Sequence, residues 1–468
     1  MDAKKLLSVL AISFAIIFLY AQQAPAGEID ILVKKLVEKK ILTEDEAKGI
    51  LEETRQEAAK EAAGAASSSA KSEEKVLKES PKEKTSALPE WAQKINIKGD
   101  VRFRTQGDWG KGLNPAHSEI RERVRARLGV EGKVNDEVSG GVRFATGGSA
   151  DPRSTNITLG NGNGDFSKTN VMFDQYYIKL EPHYQYLNGS KLWLGKFPLP
   201  FDSNEFLWDT DINPEGIGIQ YVSPALNAEG FPETTIYANG GMLWLQELRN
   251  ADTDPMMWAA QFGFLSKLIP DHGTKFSASA AYYDITREKN RNWTQNSAGT
   301  NSLQTIGDAG NNAAYIGTLK YDYNMLDLIV RLDNKKIFDV ELPEHGLYGE
   351  FLHNMDPDSG STGYLLGAYM GEKNIKQFGQ WYLWFEWRYL GRDCAPDILP
   401  DSDFYGFSPS GVPGGGGTNA KGFNTGIQFG LLKNTYLNLE LNWSEPIKST
   451  NSTNESYQVA QADINVKF

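Results

Sequence analysis

"SEIRERVRARLGV", residues 118–130, sets arginine at 121, 123, 125 and 127, every second position, in a chain of formal net charge −12. At helical spacing four such residues spread around the cylinder. In an extended strand successive side chains alternate faces, so all four project from one side. The reverse face then holds Ile120, Val124, Ala126, Leu128 and Val130, interrupted only by Glu122. Four neighbouring guanidiniums repel one another unless carboxylates or anions face them. The stretch predicts a strand with one greasy and one charged face, and it asks what lies opposite the charge.

The same period recurs from Trp91 to the end, in segments of roughly 8–15 residues separated by Gly, Asn, Asp and Pro clusters. In "NTYLNLELNW" (434–443), Thr435, Leu437, Leu439, Leu441 and Trp443 share one face, and Tyr436, Asn438, Glu440 and Asn442 the other. In "GQWYLWFEWRYL" (379–390), Trp381, Leu383, Phe385, Trp387 and Tyr389 share a face, with Glu386 and Arg388 behind them. Five large apolar groups on one strand need a packed sheet or lipid.

Connection lengths discriminate. Short turns at 133–137, 268–273, 372–376 and 432–434 alternate with long connections at 148–169, 286–311, 392–420 and 446–455. Short turns on one side and long loops on the other is the plan of a transmembrane antiparallel barrel, whereas a Greek-key sandwich has no reason to alternate so. The fold class expected is an all-β up-and-down barrel over 91–468 with sixteen to eighteen strands. The ambiguity lies in "LDLIVRLDNKKIFDVEL" (326–342), and reading it as a tight hairpin favours eighteen.

Other classes are excluded from the ends inward. Lys4 and Lys5, the apolar run Leu6–Tyr20 and Ala24-Pro25-Ala26 predict a secretory signal peptide over 1–26. Residues 27–62 read as helical and coiled-coil-like, with Thr43 and Glu46 forming a capping box. Residues 63–90, rich in Ala, Ser, Lys and Glu, read as a flexible linker. The chain ends "YQVAQADINVKF" in strict alternation through an aromatic last residue, Phe468. The single Cys394 forms no internal disulfide.

The "LVKKLVEKKILTEDEAKGIL" helical pair, the "KGDVRFRTQGD" first strand, the arginine ladder, "LGKFPLPF…WDTDINPEG" and the terminal Phe468 together resemble the "Putative porin" family of Gram-negative outer membranes. The resemblance implies a passive diffusion channel, often homotrimeric, in the cell outer membrane. It also implies that Phe468 takes part in the assembly signal read by the barrel-assembly machinery. A periplasmic N-terminal segment is expected, because an even strand number puts the linker and Phe468 on one side.

With lipid outside, a charge on the outer face costs ~2–4 kcal/mol near the midplane, so Arg121, Arg123, Arg125 and Arg127 are expected to face the lumen. Arg102, Arg104 and Arg143 on the adjoining strands follow by the same register. The connection 197–215, "FPLPFDSNEFLWDTDINPE", carries Asp202, Glu205, Asp209, Asp211 and Glu215, and resembles a constriction loop folded into the pore. Acids facing a basic wall would set a transverse field that selects solutes. Two alternatives stay open: the arginines pair with Asp100, Glu119 and other acids merely to hold the wall, or the loop lies outside the channel against a neighbouring subunit.

Residues 209–216 mimic an EF-hand at Asp209, Asp211 and Asn213, but Pro214 and Gln220 stand where Gly and Glu are needed. The glycine runs at 160–167 and 413–417 lack a strand-to-helix context, and the histidines at 117, 183, 272, 345 and 353 are scattered. No metal, cofactor, nucleic acid or catalytic set is expected. The functions weighed are a pore for small hydrophilic solutes with weak anion or little charge preference, and an envelope-tethering barrel whose helices grip a periplasmic partner. A barrel hydrolase and a secreted sandwich adhesin come after these.

Overall fold

The computed structural model describes residues 93–468, except 111–118, 149–150, 161–165, 167, 248–253, 287–312, 316–317, 320, 338–339, 408–412, 415–416 and 449–455. The signal peptide, the helical segment and the linker expected over 1–90 lie outside the described residues.

Alternating residues form sixteen barrel strands. They are β1 (Ile95–Gly110), β2 (Glu119–Lys133), β3 (Val138–Thr146), β4 (Val171–Leu180), β5 (Ser190–Lys196), β6 (Glu215–Val222), β7 (Thr234–Trp244) and β8 (Met256–Ile269). Then come β9 (Thr274–Ile285), β10 (Tyr323–Ile337), β11 (Val340–Asn354), β12 (Thr362–Gly371), β13 (Trp381–Leu390), β14 (Ala420–Leu432), β15 (Thr435–Pro446) and β16 (Tyr457–Lys467). Each pairs antiparallel with the next, and β16 pairs with β1 from Asp100↔Lys467 to Gly110↔Tyr457, so no edge is left open. Gly99 and Phe468 exchange backbone hydrogen bonds at 2.9 and 3.0 Å, which carries the seam to the final residue. The Phe468 ring lies over Gly99, where a Cβ would stand only 2.5 Å from it.

The count corrects the preference for eighteen. The 326–342 hairpin is present, with β10 and β11 joined through 338–339, and the even number is met at sixteen. The remaining short pairings, Ala313–Tyr315 with Thr318–Leu319 and Gly406–Phe407 with Pro413–Gly414, sit in long connections. Ile157–Thr158 adds to β2 outside the wall order. Two or three residues at about 3.3 Å each are far too short to cross a bilayer.

Side-chain burial runs opposite to that of a soluble protein. Large apolar side chains lie exposed on the outer face, among them Ile97, Phe103, Phe173, Phe262, Leu347, Leu366 and Phe385. Charged and amide groups are enclosed, including Arg104, Asp108, Gln261, Glu350, Arg388 and Asp463. Even the polar interruption of β2 is answered locally, since Thr105 Oγ1 donates to Glu122 at 2.7 Å across the β1–β2 pair. The tight turn at 433–434 places Asn434 at φ 55°, a left-handed position that asparagine tolerates.

The described residues of two long connections lie within the cylinder. Residues 197–214 and 391–419 bring Phe197, Phe201, Phe206, Leu207, Trp208, Ile212, Cys394, Ile398, Leu399 and Phe404 into one buried apolar cluster. Leu243, Met257, Tyr283, Met325, Leu352 and Leu365 of β7–β12 join it, with Leu390, Ala420, Tyr457 and Val459 of β13, β14 and β16. The apolar packing is densest against β7–β12, and a polar cavity lies against β1, β2 and β13–β16.

Candidate functional site

The strand register sets the arginines against one another. Arg102 stands directly across from Arg125, and Arg104 from Arg123. Like charges opposite each other in a ladder are destabilising on their own, so each needs an acid within reach. Arg104, only 3% exposed, makes a two-pronged contact with Asp463 of β16 at 2.8 and 2.9 Å and a second pair with Asp403 at 3.0 Å. Asp100 bridges Arg125 at 3.0 Å and Arg127 at 2.7 Å. Arg121 meets Asp108 at 3.1 Å and reaches Glu119 at 3.9 Å. Arg143 pairs with Asp174 and donates to Asn213 at 3.2 Å.

Two arginines are less well matched. Arg102 donates to Asn156 at 2.6 Å and lies 3.8 Å from Asp463, already committed to Arg104. Arg123 donates to Gln106 at 2.9 Å and to Ser154 at 3.4 Å, both neutral groups. The Nε atoms of Arg102, Arg121 and Arg123 are buried without a hydrogen-bond partner.

The five loop acids do not act as a group. Asp211 alone contacts the ladder, at 2.9 Å from Arg127 and 3.8 Å from Arg125. Asp202 crosses to the far wall, where it pairs with Arg331 of β10 at 2.7 Å. Glu205, at φ 59°, accepts from Thr210 at 2.8 Å. Asp209 accepts the backbone N–H groups of Asp211 at 2.9 Å and Ser402 at 3.0 Å. Glu215 corrects its assignment to the loop: it is the first residue of β6 and pairs with Lys196 at 2.7 Å with half its side chain exposed. Asp209, Asp211 and Asn213 thus serve different protein partners, and among the described residues no three His, Cys, Asp or Glu groups converge as a metal centre.

Sequence reasoning missed the second inward loop. Arg388 of β13 pairs with Glu386 and with Asp401, each at 2.6 Å. Arg153 is 2% exposed, pairs with Asp151 at 3.0 Å and donates to the Asp397 carbonyl at 2.9 Å. A local signal was available. Asp151, Asp209 and Asp401 each accept the backbone N–H two residues on, at 2.8–2.9 Å, an Asx turn that aims residue 153, 211 or 403 into the lumen. The shared spacing is Asp-x-Arg or Asp-x-Asp.

Part of this set lines a cavity of about 320 Å³, from which Arg121, Arg123, Arg127 and Arg143 are absent. Arg102, Arg104, Arg125, Arg153 and Arg388 line it together with Glu205, Asp209, Glu386, Asp401 and Glu440, the two signs interspersed. Eight carboxylates and five guanidiniums face it in all. Burial, reinforced by the Asp401 charge, pushes the Glu205 carboxyl up to about 8. Burial and the Asp401 and Glu205 charges likewise hold Asp209 well above the usual carboxylate range. Burial alone would raise Asp403 too, but the adjacent Arg104 guanidinium brings it down to about 2.

The model of the "Putative porin" family matches residues 112–317 and 285–468, most of the barrel. The chain belongs to this family. As a porin-family barrel it is an outer-membrane protein. The structure is similar to the high-pH form of OprB from Pseudomonas putida, at 12% identity and a TM-score of 0.48, covering 81% of this chain and 95% of that one. It is similar also to a mutant porin from Rhodopseudomonas blastica, at 11% identity and a TM-score of 0.41, covering 80% and 100%. A trimer form of OmpT from Vibrio cholerae gives 11% identity and a TM-score of 0.40, covering 80% and 99%. No curated protein matches the chain.

Proposed function

We propose that this porin is a water-filled channel for passive diffusion of small hydrophilic solutes and ions, with its selectivity set where the arginine ladder meets the inward loops. The observation that carries the reading is the densely charged lining of the polar cavity, where guanidiniums of β1 and β2 meet loop and wall carboxylates. Opposite charges fixed around a narrow opening orient a dipolar solute as it enters, and the low local dielectric strengthens that field.

The charge balance alters the preference expected from the ladder alone. Even with Glu205 protonated, seven carboxyl groups face five guanidiniums at the cavity, and most arginines there are already paired. We therefore assign a mild cation preference in place of a weak anion preference. Purified protein in planar bilayers tests this. Stepwise conductance with a reversal potential on the cation side of zero in a salt gradient is expected. An absence of stepwise conductance from folded protein would end the channel reading, and an anion-side potential would return selection to the arginines.

The family also carries an expectation of a homotrimer, which native mass in mild detergent tests. Phe468 as part of the assembly signal belongs to the same proposal. Its support is the packing of its ring on Gly99 at the closing seam, and Phe468→Ala is expected to lower the yield of folded barrel in the membrane.

A further inference from the structure

We propose that Asp327 of β10 and Glu350 of β11, with the hydroxyl groups of Ser279 and Tyr283 on β9, hold a hard divalent cation that fastens the far end of the 197–214 loop to the wall. This site is separate from the polar passage and does not depend on the channel reading. Ile329 stands opposite Glu350 and Leu352 opposite Asp327, so the two carboxylates are diagonal neighbours on one face of the β10–β11 pair. Across β9, Ala281 opposes Asp327, which makes Ser279 and Tyr283 its diagonal neighbours on that side.

All four side chains are more than nine-tenths buried: Asp327 is 1% exposed, Glu350 3%, Ser279 7% and Tyr283 0%. Neither carboxylate oxygen of Asp327 accepts an aligned hydrogen bond and neither does Glu350 Oε1, while Ser279 Oγ faces the Tyr237 hydroxyl and Tyr283 OH faces the Trp208 indole N–H without an aligned bond. Five such oxygens on neighbouring inward positions of β9–β11 supply the donor chemistry of a hard cation such as Ca²⁺, for which carboxylates and neutral oxygens serve together. Tyr283 is held there by rings, with Phe201 at 5.4 Å and Trp208 at 5.7 Å.

The surrounding charges leave the pair uncompensated. The other charged groups of the neighbourhood are Asp202 on the loop and Arg331 on β10. Arg331 is committed to Asp202 at 2.7 Å and to Asn204 Oδ1 at 2.7 and 2.9 Å. One guanidinium thus answers three carboxylates, and a buried charge without a partner costs several kcal/mol or more. The two charges of one divalent ion match those of Asp327 and Glu350. Asn204 also donates its backbone N–H and its amide to Glu350 Oε2 at 3.3 and 3.0 Å, so whatever fixes Glu350 fixes the loop.

Full-length folded protein in detergent, stripped with a chelator and dialysed, is titrated with Ca²⁺ and separately with Mg²⁺. Uptake of one ion per chain is expected by equilibrium dialysis, together with a rise in thermal midpoint. Asp327→Asn and Glu350→Gln should each weaken uptake roughly a hundredfold, as the loss of a ligating carboxylate does. Both variants, metal-free, should melt no lower than metal-free wild type, because each removes an unpaired buried charge. Failure of wild type to take up either ion, with a midpoint responding to pH alone, would mean that the carboxylates share a proton and would overturn the proposal. Uptake unchanged in both variants, or equal stabilisation of all three proteins, would place the ion elsewhere and overturn it too.

Discussion

The two arcs of the lumen are made from the same alternating strand and hold opposite contents. Along β1–β4 and β14–β16 the inward positions are mostly arginine, aspartate, glutamate and asparagine, tied into pairs around a polar cavity, with Ala420, Tyr457 and Val459 as apolar exceptions. Along β7–β12 the inward positions near the long-loop end are Leu243, Met257, Tyr283, Met325, Leu352 and Leu365, packed against Phe206, Leu207 and Trp208. Alternation decides which side chains point inward and leaves open what they meet there. Where a connection folds in with apolar side chains, the lumen positions beneath it become a core of the ordinary kind. Where it brings aspartate, the positions become a charge network beside an open cavity.

The dry arc breaks hardest. Phe206 is fully buried at the centre of the cluster and touches the space above Gly363, where a Cβ would stand 3.2 Å from its ring. Phe206→Ala is expected to cost about 3–5 kcal/mol, read as a lower temperature at which folded barrel disappears on heat-modifiability gels. The loop should loosen with it, so single-channel records should become larger in conductance or noisier. A variant with wild-type melting and wild-type conductance would show that the loop is held by its polar ends alone.

On the wet arc the corresponding test is Arg104→Met. It strands Asp463, almost fully enclosed, and Asp403, about a quarter exposed, and is expected to cost about 3 kcal/mol, near the lower end for breaking a buried pair. Adding Asp463→Asn should recover part of that loss, because one of the two orphaned charges is then gone. If the double variant is no more stable than the single one, Arg104 matters through packing and not through charge.

How far the sequence carried the reading follows the same division. Strand positions were legible, because a period of two with lipid on one side admits a single register. Asp463, Glu440, Glu386 and Arg388 were legible in the same sense, each on the polar face of its strand. The strand count was less so, since short pairings at 313–319 and 406–414 carry strand-like residues without the length to span. Loop contents were the least legible. Nothing in "DILPDSDFYG" states that Asp401 and Asp403 reach Arg388 and Arg104, some 13 and 299 residues away in the chain. Only the Asp-x-Asp turn gave a local sign. The placement of Asp202 on Arg331 was out of reach for the same reason, because long-range pairing of a loop is decided by the cavity it enters.

A smaller effect separates structural from selective arginines. Arg123 has only Gln106 and Ser154 as side-chain hydrogen-bond partners and stands opposite Arg104, so Arg123→Ala trades two neutral contacts for relief of a like-charge pair. Its stability should change by no more than about 1 kcal/mol. Its charge is the one least cancelled at the ladder, so the reversal potential should move further to the cation side. Arg125→Ala, which frees Asp100 to neutralise Arg127 alone, should move it less. An unmoved potential in both variants would reassign the ladder to holding the wall.

The smallest effect expected is a dependence on pH, and its sign follows from the loop acids. Glu205, pushed up to about 8 by burial and by Asp401, is mostly protonated at neutral pH and ionises as the pH rises through that value. Each ionisation adds a negative charge at the polar cavity, so the cation preference should grow between roughly pH 7 and 9. Asp403, held near 2 by Arg104, stays charged throughout and contributes no slope. Glu205→Gln should flatten the curve at its low-pH level while leaving conductance at pH 7 close to wild type. A slope that survives the substitution would mean that Asp209 or Asp401 carries the titration, and the field would then arise where the two inward loops meet instead of at the tip of the first.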